Sequence, residues 1–311
     1  MLILNPSRHS CEHANQNLTR ATPSSIRNIS PVDFFYHTKC FYDTLFFQEP
    51  VTVVKEFNDG DVAQIFIDKL EKNIIDIYKK FKFPKSMIMT MHDKLVYDNS
   101  TLCHICNEEL CVDRVRDHCH LSGKFRGTAH EVCSLKYKVP KFFPIVFHNL
   151  SGYDTHLFIK TLGNSEGDIS GIPNNEENYI SFTKQVIVDK FFNKEGKEVN
   201  VKHELRFINN LRFMASNLDK LSSNLKIDQF VNLNKYCSGN QLRLLLSKDV
   251  YPYDYVDCMK KLDGTSRPPK DAFYSKLTGE GITDEDYQHA HTVWKEFNIE
   301  SMKDYHKLCN L

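Results

Sequence analysis

The sequence predicts an α+β protein interrupted by a small polar insertion, and three observations carry that prediction. Residues 61–81 hold one long helical period, with Phe66, Leu70, Ile74, Ile77 and Phe81 on a single face and charges opposite. Phe142 to Phe147 is an unbroken apolar run of the kind a buried strand makes, and Tyr179 to Phe192 and Val199 to Phe207 read as two strands around the turn Asn193-Lys-Glu-Gly196. Between the first helix and the apolar run, residues 101–138 are rich in Cys, His and Gly and too polar to build a core of their own. Strands alternating with helices around such an insert fit an α/β or α+β core, of which α+β is preferred here.

The remaining elements follow in chain order. Residues 1–32 are polar, rich in Ser, Asn, Thr and Arg, and aperiodic, which predicts a poorly ordered stretch or one deprived of its partner element. Phe34 to Phe47 is aromatic and strand-like. After the apolar run, Asn149-Leu-Ser-Gly152 leads into a predicted helix from Tyr153 to Leu162, and Ala215 to Leu225 resumes a helical spacing. Beyond residue 237 the pattern is helical with Pro-Pro and Gly breaks. Thr283 with Asp286 has the form of a capping box ahead of Tyr287, Ala290, Trp294 and Phe297. The resulting division is 1–32, 33–100, 101–138 and 139–311.

With 40 basic and 40 acidic side chains the 311 residues carry no net charge, so affinity for a polyanion has to come from local patches. No apolar run is long enough to cross a membrane, and the opening Met-Leu-Ile-Leu is too short for the core of an export signal. The ten cysteines therefore point to metal binding or plain burial in a reducing, intracellular compartment rather than to a disulfide scaffold. Nothing in the sequence indicates oligomerisation.

Four of those residues are spaced as metal ligands. Cys103-x-x-Cys106 and His130-x-x-Cys133 each place two donors on one side of an ion, and two such pairs complete the tetrahedron that structural zinc prefers. The first pair is predicted on a turn and the second at a helix start. His104, Cys111, Cys119 and His120 are alternative donors nearby, with Cys111 and Cys119 read as buried thiols. Between the pairs stand Asp117 and His118, adjacent and so expected on opposite faces of a strand unless a bulge or bend brings them to one site. A carboxylate holding a divalent ion beside a neutral imidazole base can hydrolyse a phosphodiester, and Arg114, Arg116, Lys124 and Arg126 supply charge for phosphate contact. The plainer reading is a structural zinc knuckle with Asp117 and His118 as ordinary surface residues.

The run C-x2-C, D-H-x-H, G-x2-R-G, H-x2-C resembles the recombination endonuclease VII family, whose ββα-metal fold includes HNH nucleases. Here it reads Cys103, Cys106, Asp117, His118, His120, Gly123, Arg126, Gly127, His130 and Cys133. The resemblance implies that Asp117 binds a catalytic Mg2+ or Mn2+, that His118 is the general base and that His120 assists at the phosphate. His130 stands where the family has Cys. Ser134 stands where it has a metal-binding Asn, and a hydroxyl is a shorter and poorer ligand for a hard cation.

A second resemblance covers more than half the chain. The segments KFFPIVFHNLSGYDTHLFIK, ELRFINNLRFMASNLDKLSSNL and VYPYDYVDCMKKLD are similar to the N-terminal 3′–5′ exonuclease region of Polinton/Maverick-type, protein-primed family B DNA polymerases. Several of these carry an endonuclease VII-like module just before the second exonuclease motif. The resemblance implies an incomplete ribonuclease-H-like exonuclease core with an inserted ββα-zinc module. It makes Asn149, Tyr153 and Asp154 the second proofreading motif, DNA and a terminal-protein primer the partners, and the nucleus the compartment. The first motif, Asp-x-Glu, occurs nowhere in the sequence, Tyr253 to Asp257 matches the third motif only as a string, and the palm carboxylates are absent. The reading is a DNA polymerase fragment of a mobile element. Its rivals are a stand-alone branched-DNA endonuclease and a non-catalytic zinc-dependent DNA-binding remnant.

Overall fold

The structure is a computed structural model and describes residues 2–5, 33–38, 51–54, 61–137, 140–148, 150, 155–174, 179–237, 239–247, 250–276 and 278–309. Nine strands and eight α-helices, in the order β1–β3, α1, α2, β4, β5, α3, β6, α4, β7–β9, α5–α8, are found among these residues. The mixed composition agrees with the α+β prediction.

The strands are β1 (Leu2–Asn5), β2 (Asp33–Thr38), β3 (Val51–Val54), β4 (Arg114–His118), β5 (Phe125–His130), β6 (Phe142–Phe147), β7 (Ile169–Pro173), β8 (Tyr179–Phe192) and β9 (Glu198–Asn209). Seven of them form one sheet in the order β3-β2-β1-β6-β9-β8-β7. β1 runs parallel to β6, and β6 parallel to β9, while β1–β2, β2–β3, β9–β8 and β8–β7 are antiparallel. β4 and β5 stand apart as a two-stranded hairpin.

The helix predicted over 61–81 is α1 (Val62–Phe81). Asp61 caps it by accepting from the Ala63 N–H, which satisfies one of the donors a helix start leaves open. Its apolar face buries Phe66, Leu70 and Ile74 as the period required, with Ile67 beside them, against one face of the sheet. There Phe158, on the short helix α4 (Thr155–Phe158), is the hub of an aromatic column. It meets Phe66 edge-on, stacks on Phe147 of β6 and reaches Phe182 and Phe207, which stack on each other at 4.6 Å. Lys184 lies on the same inward face of β8 and is fully buried. Its amine is satisfied by the carbonyls of Ser165 (2.7 Å) and Gly167 (3.1 Å), as a buried charge requires.

The structure departs from the sequence reading in several places. Leu2–Asn5, the described residues of the stretch 1–32, form β1, an interior strand between β2 and β6; four residues are too few to show a period. From Thr155 on, where the predicted helix 153–162 is described, it is broken into α4 and a 3-10 turn, Thr161–Asn164. An unexpected helix, α2 (Met91–Asn99), buries no residue and so has no apolar face for the sequence to display. Of the strand expected over Phe34–Phe47, the part up to Thr38 lies in β2, and the rest lies outside the described residues.

The C-terminal part has a second, smaller core. α6 (Asn240–Leu245), α7 (Asp284–Glu296) and α8 (Met302–Cys309) gather around Tyr251, Phe273, Ala290, Val293, Met302 and Tyr305, after the isolated α5 (Leu218–Ser223). Thr283 caps α7 by accepting from the Asp286 N–H, which is one half of the predicted capping box.

Phe158 joins helix and sheet from a site with no exposure. Phe158→Ala is therefore expected to cost about 3–5 kcal/mol in urea unfolding, the range for truncating a buried aromatic. A change well under 1 kcal/mol would show the column to be loosely packed.

Candidate metal centre

The insert folds as a knuckle, a hairpin and a helix. Residues 101–110 close on themselves: Leu110 N–H donates to the Thr101 carbonyl, Cys103 N–H to that of Glu108, and Asn107 N–H to that of Cys103, each at 2.8 Å. Asn107 takes the left-handed conformation (φ 62°) that turns the chain back, a role Asn tolerates better than most residues. The His104 N–H donates to the Thr128 carbonyl and anchors the knuckle to β5. β5 ends at His130, which is also the N-cap of α3 (Glu131–Lys136), so Cys133 falls in the first helical turn.

This arrangement brings the donor atoms of Cys103, Cys106, His130 and Cys133 within 4.8 Å of one another. His130 Nδ1 lies 3.5 Å from Cys106 Sγ and 3.8 Å from Cys133 Sγ. A tetrahedral zinc with ordinary Zn–S and Zn–N bonds sets that edge at roughly 3.6 Å. The imidazole is also held in the required tautomer, because Nε2 lies 2.9 Å from the Glu109 carbonyl and donates its proton there, leaving the Nδ1 lone pair for a metal. The four predicted ligands thus fit a structural zinc ion, which would neutralise thiolates and replace the apolar core the insert lacks.

Proton affinities within the metal-free cluster are spread apart. Burial opposes ionisation of Cys103, but N–H groups of Cys106, His130 and Ile105 aimed at its sulfur outweigh it and bring the thiol down to about 6. The Glu109 carbonyl and the Cys106 sulfur push His130 up to about 9. Burial, with Cys106 and Cys103 as neighbours, pushes Cys133 up to about 11.

Behind the knuckle lies Asp117, whose side chain is only 2% exposed. Arg126 grips it with a two-pronged contact, Nε to Oδ2 at 2.7 Å and Nη2 to Oδ1 at 2.8 Å. Ser134 Oγ donates to Oδ1 at 2.8 Å, and His104 Nε2 lies 2.9 Å from Oδ2. Burial pushes the Asp117 carboxyl up, but these contacts, Arg126 foremost, hold it below the usual carboxylate range. With both oxygens engaged, the site does not fit the Mg2+ or Mn2+ expected from the sequence.

The β4–β5 register shifts between Asp117 and His118, where β5 carries Arg126 as an extra residue, but the two side chains keep different surroundings. Asp117 points into the Arg126 network, and the His118 ring packs against that of His120, centroids 4.9 Å apart. Gly127 is required by close approach, since a Cβ there would come within 2.7 Å of the His104 ring. Gly123 (φ 77°) lets the hairpin turn meet the segment before α2, where Ile88 N–H donates to its carbonyl.

Of the basic residues, Arg114 and Arg116 both lie over the ring of Tyr97 on α2, with guanidinium carbons 4.4 and 4.8 Å from its centre. Arg116 and Lys124 are exposed, whereas Arg126 is committed to Asp117 and stacked on Tyr137 at 3.9 Å. Cys111 and Cys119 are corrected: Cys111 is exposed and Cys119 half-buried, because both lie outside the strands at either end of β4, and neither joins the cluster. Asn149, Tyr153 and Asp154 lie outside the described residues. Asp257 pairs with Lys261 at 3.1 Å.

No protein-family model, no curated protein and no solved structure matches the chain. The chemistry of the centre then rests on its own donor set. Sequence reading missed Tyr97, which no spacing marks, and the Asp117 contact of His104, although its place between two ligand cysteines was a signal.

One tightly held zinc per chain is expected by metal analysis, and Cys106→Ser should release it and unfold residues 101–137. Because the ligands must shed protons that His130 and Cys133 hold at neutral pH, zinc retention against a chelator should weaken as pH falls from 8 to 6. Folding indifferent to chelators would exclude the centre.

Proposed function

We propose that the chain is the 3′–5′ exonuclease-type region of a protein-primed, mobile-element family B DNA polymerase, carrying an endonuclease VII-like zinc module, and that this region binds DNA. The observation that carries the reading is the sheet. β3-β2-β1-β6-β9, with the first three strands antiparallel and β1, β6 and β9 parallel, is the order expected of a ribonuclease-H-like core, with β8 and β7 added at one edge.

The place of the motif in the sequence supports it further. In open sheets with parallel strands, ligands collect beyond the carboxyl ends at the point where strand order reverses. β1 and β6 meet there, with Leu4 opposite Phe147, and in the sequence the segment that holds Asn149, Tyr153 and Asp154 comes next after β6. In chain order the zinc module stands between α2 and β6.

Proofreading of this kind needs two ions held by several carboxylates. β1 reads Leu-Ile-Leu-Asn and offers none, so Asp154 stands without the partner that the first motif would supply. We therefore assign binding, with no cleavage. Exposed Arg116 and Lys124 are the phosphate contacts, and the Arg116 guanidinium rests over the ring of Tyr97.

One observation favours the stand-alone endonuclease. Ser134 lies against Asp117, where that family's asparagine would have to stand to share an ion with it. The saturation of Asp117 weighs against cutting.

Fluorescence anisotropy with a labelled primer–template is expected to show binding that weakens steeply with salt, and Arg116→Ala should flatten the log–log slope by about 1. Absence of binding at low salt would sink the proposal. In magnesium, a 5′-labelled single strand should shorten no faster than with Asp154→Ala; Asp154-dependent shortening would reverse the assignment of no cleavage.

A further inference from the structure

A carboxylate offers about four acceptor positions on its two oxygens. At Asp117 all four are taken: by Nε and Nη2 of Arg126, by the Ser134 hydroxyl and by Nε2 of His104. The side chain is almost wholly buried, so water adds nothing to this set. A buried carboxylate needs a cation, and the one beside it is the guanidinium of Arg126, fixed from behind by the ring of Tyr137.

The four groups come from separate elements. His104 belongs to the knuckle and sits between the ligands Cys103 and Cys106; Asp117 is on β4, Arg126 on β5 and Ser134 on α3, next to the ligand Cys133. The His104 ring is seated where any side chain at Gly127 would strike it.

We propose that the guanidinium of Arg126 occupies the position a divalent cation would take beside Asp117, and that Asp117 welds the zinc knuckle to the hairpin and helix instead of ligating magnesium or manganese. This holds whether or not the chain binds DNA. Arg126 is then an internal counter-ion, and the site is a divalent-cation site closed by one side chain. Exchanging that side chain for a neutral one leaves the Asp117 carboxylate beside an imidazole and a hydroxyl, a set that manganese accepts.

The test titrates Mn2+ into the zinc-loaded full chain and follows the free ion by electron paramagnetic resonance. Wild type and Asp117→Asn should bind the same number of ions. Arg126→Gln should gain one site, which Arg126→Gln combined with Asp117→Asn should lack. Asp117→Asn should also shorten zinc retention against a chelator several-fold, since His104 and Arg126 lose their shared anion.

Wild type binding an ion that Asp117→Asn removes would overturn the proposal, as would an Arg126→Gln chain that gains no site. Should Asp117→Asn fail to fold, Ser134→Ala removes a single contact. It should shorten zinc retention about two-fold and leave Mn2+ binding unchanged, and zinc retention equal to wild type would count against the weld.

Discussion

Everything in residues 101–137 depends on closure by charge instead of by hydrocarbon. The buried side chains there are Cys103, Asp117, Thr128 and Ala129, while Val112, Val132 and Leu135 are turned out to solvent. A segment so composed cannot bury enough apolar surface to offset the entropy of ordering it. Two polar centres, back to back, take that place. The Cys103–Cys106–His130–Cys133 cluster draws the knuckle onto the start of α3, and the Asp117–Arg126 pair draws the same knuckle, through His104, onto the hairpin.

The two centres share their supports. His130 faces the cluster through Nδ1 while Nε2 is tied to the Glu109 carbonyl in the knuckle. Cys133 and Ser134 are neighbours on one helical turn and serve one centre each. Displacing α3 therefore disturbs both. Close approach also sets Gly127, which passes against the His104 ring, and Gly123, which passes against the Ser86 carbonyl.

What the sequence displayed and what it hid follow from the range of each interaction. The face of α1, the cap at Thr283, the buried run of β6 and the β8–β9 hairpin are set by residues close in the chain, so periodicity and turn chemistry expose them. The ligand pairs were legible for the same reason. β1 was hidden because a four-residue strand acquires meaning only from its partners, Thr38 and Ile145, far along the chain. The engagement of Asp117 was hidden too. A motif lists an aspartate and an arginine without saying that they face each other, and only the shifted register of β4 on β5 aligns them.

The parallel pairing of β1 with β6 closes a loop that contains β2, β3, α1 and the whole zinc module. Such a contact is distant in sequence and forms late, which places this sheet among slow-folding topologies. The length of the loop itself matters little, because closure entropy grows only as the logarithm of chain length. A module that is already knotted around its metal shortens the effective loop and saves on the order of a few tenths of a kcal/mol. Insertion ahead of β6 is thus nearly neutral for the sheet. An ancestral chain could accept or lose such a module at that point without redesigning its core.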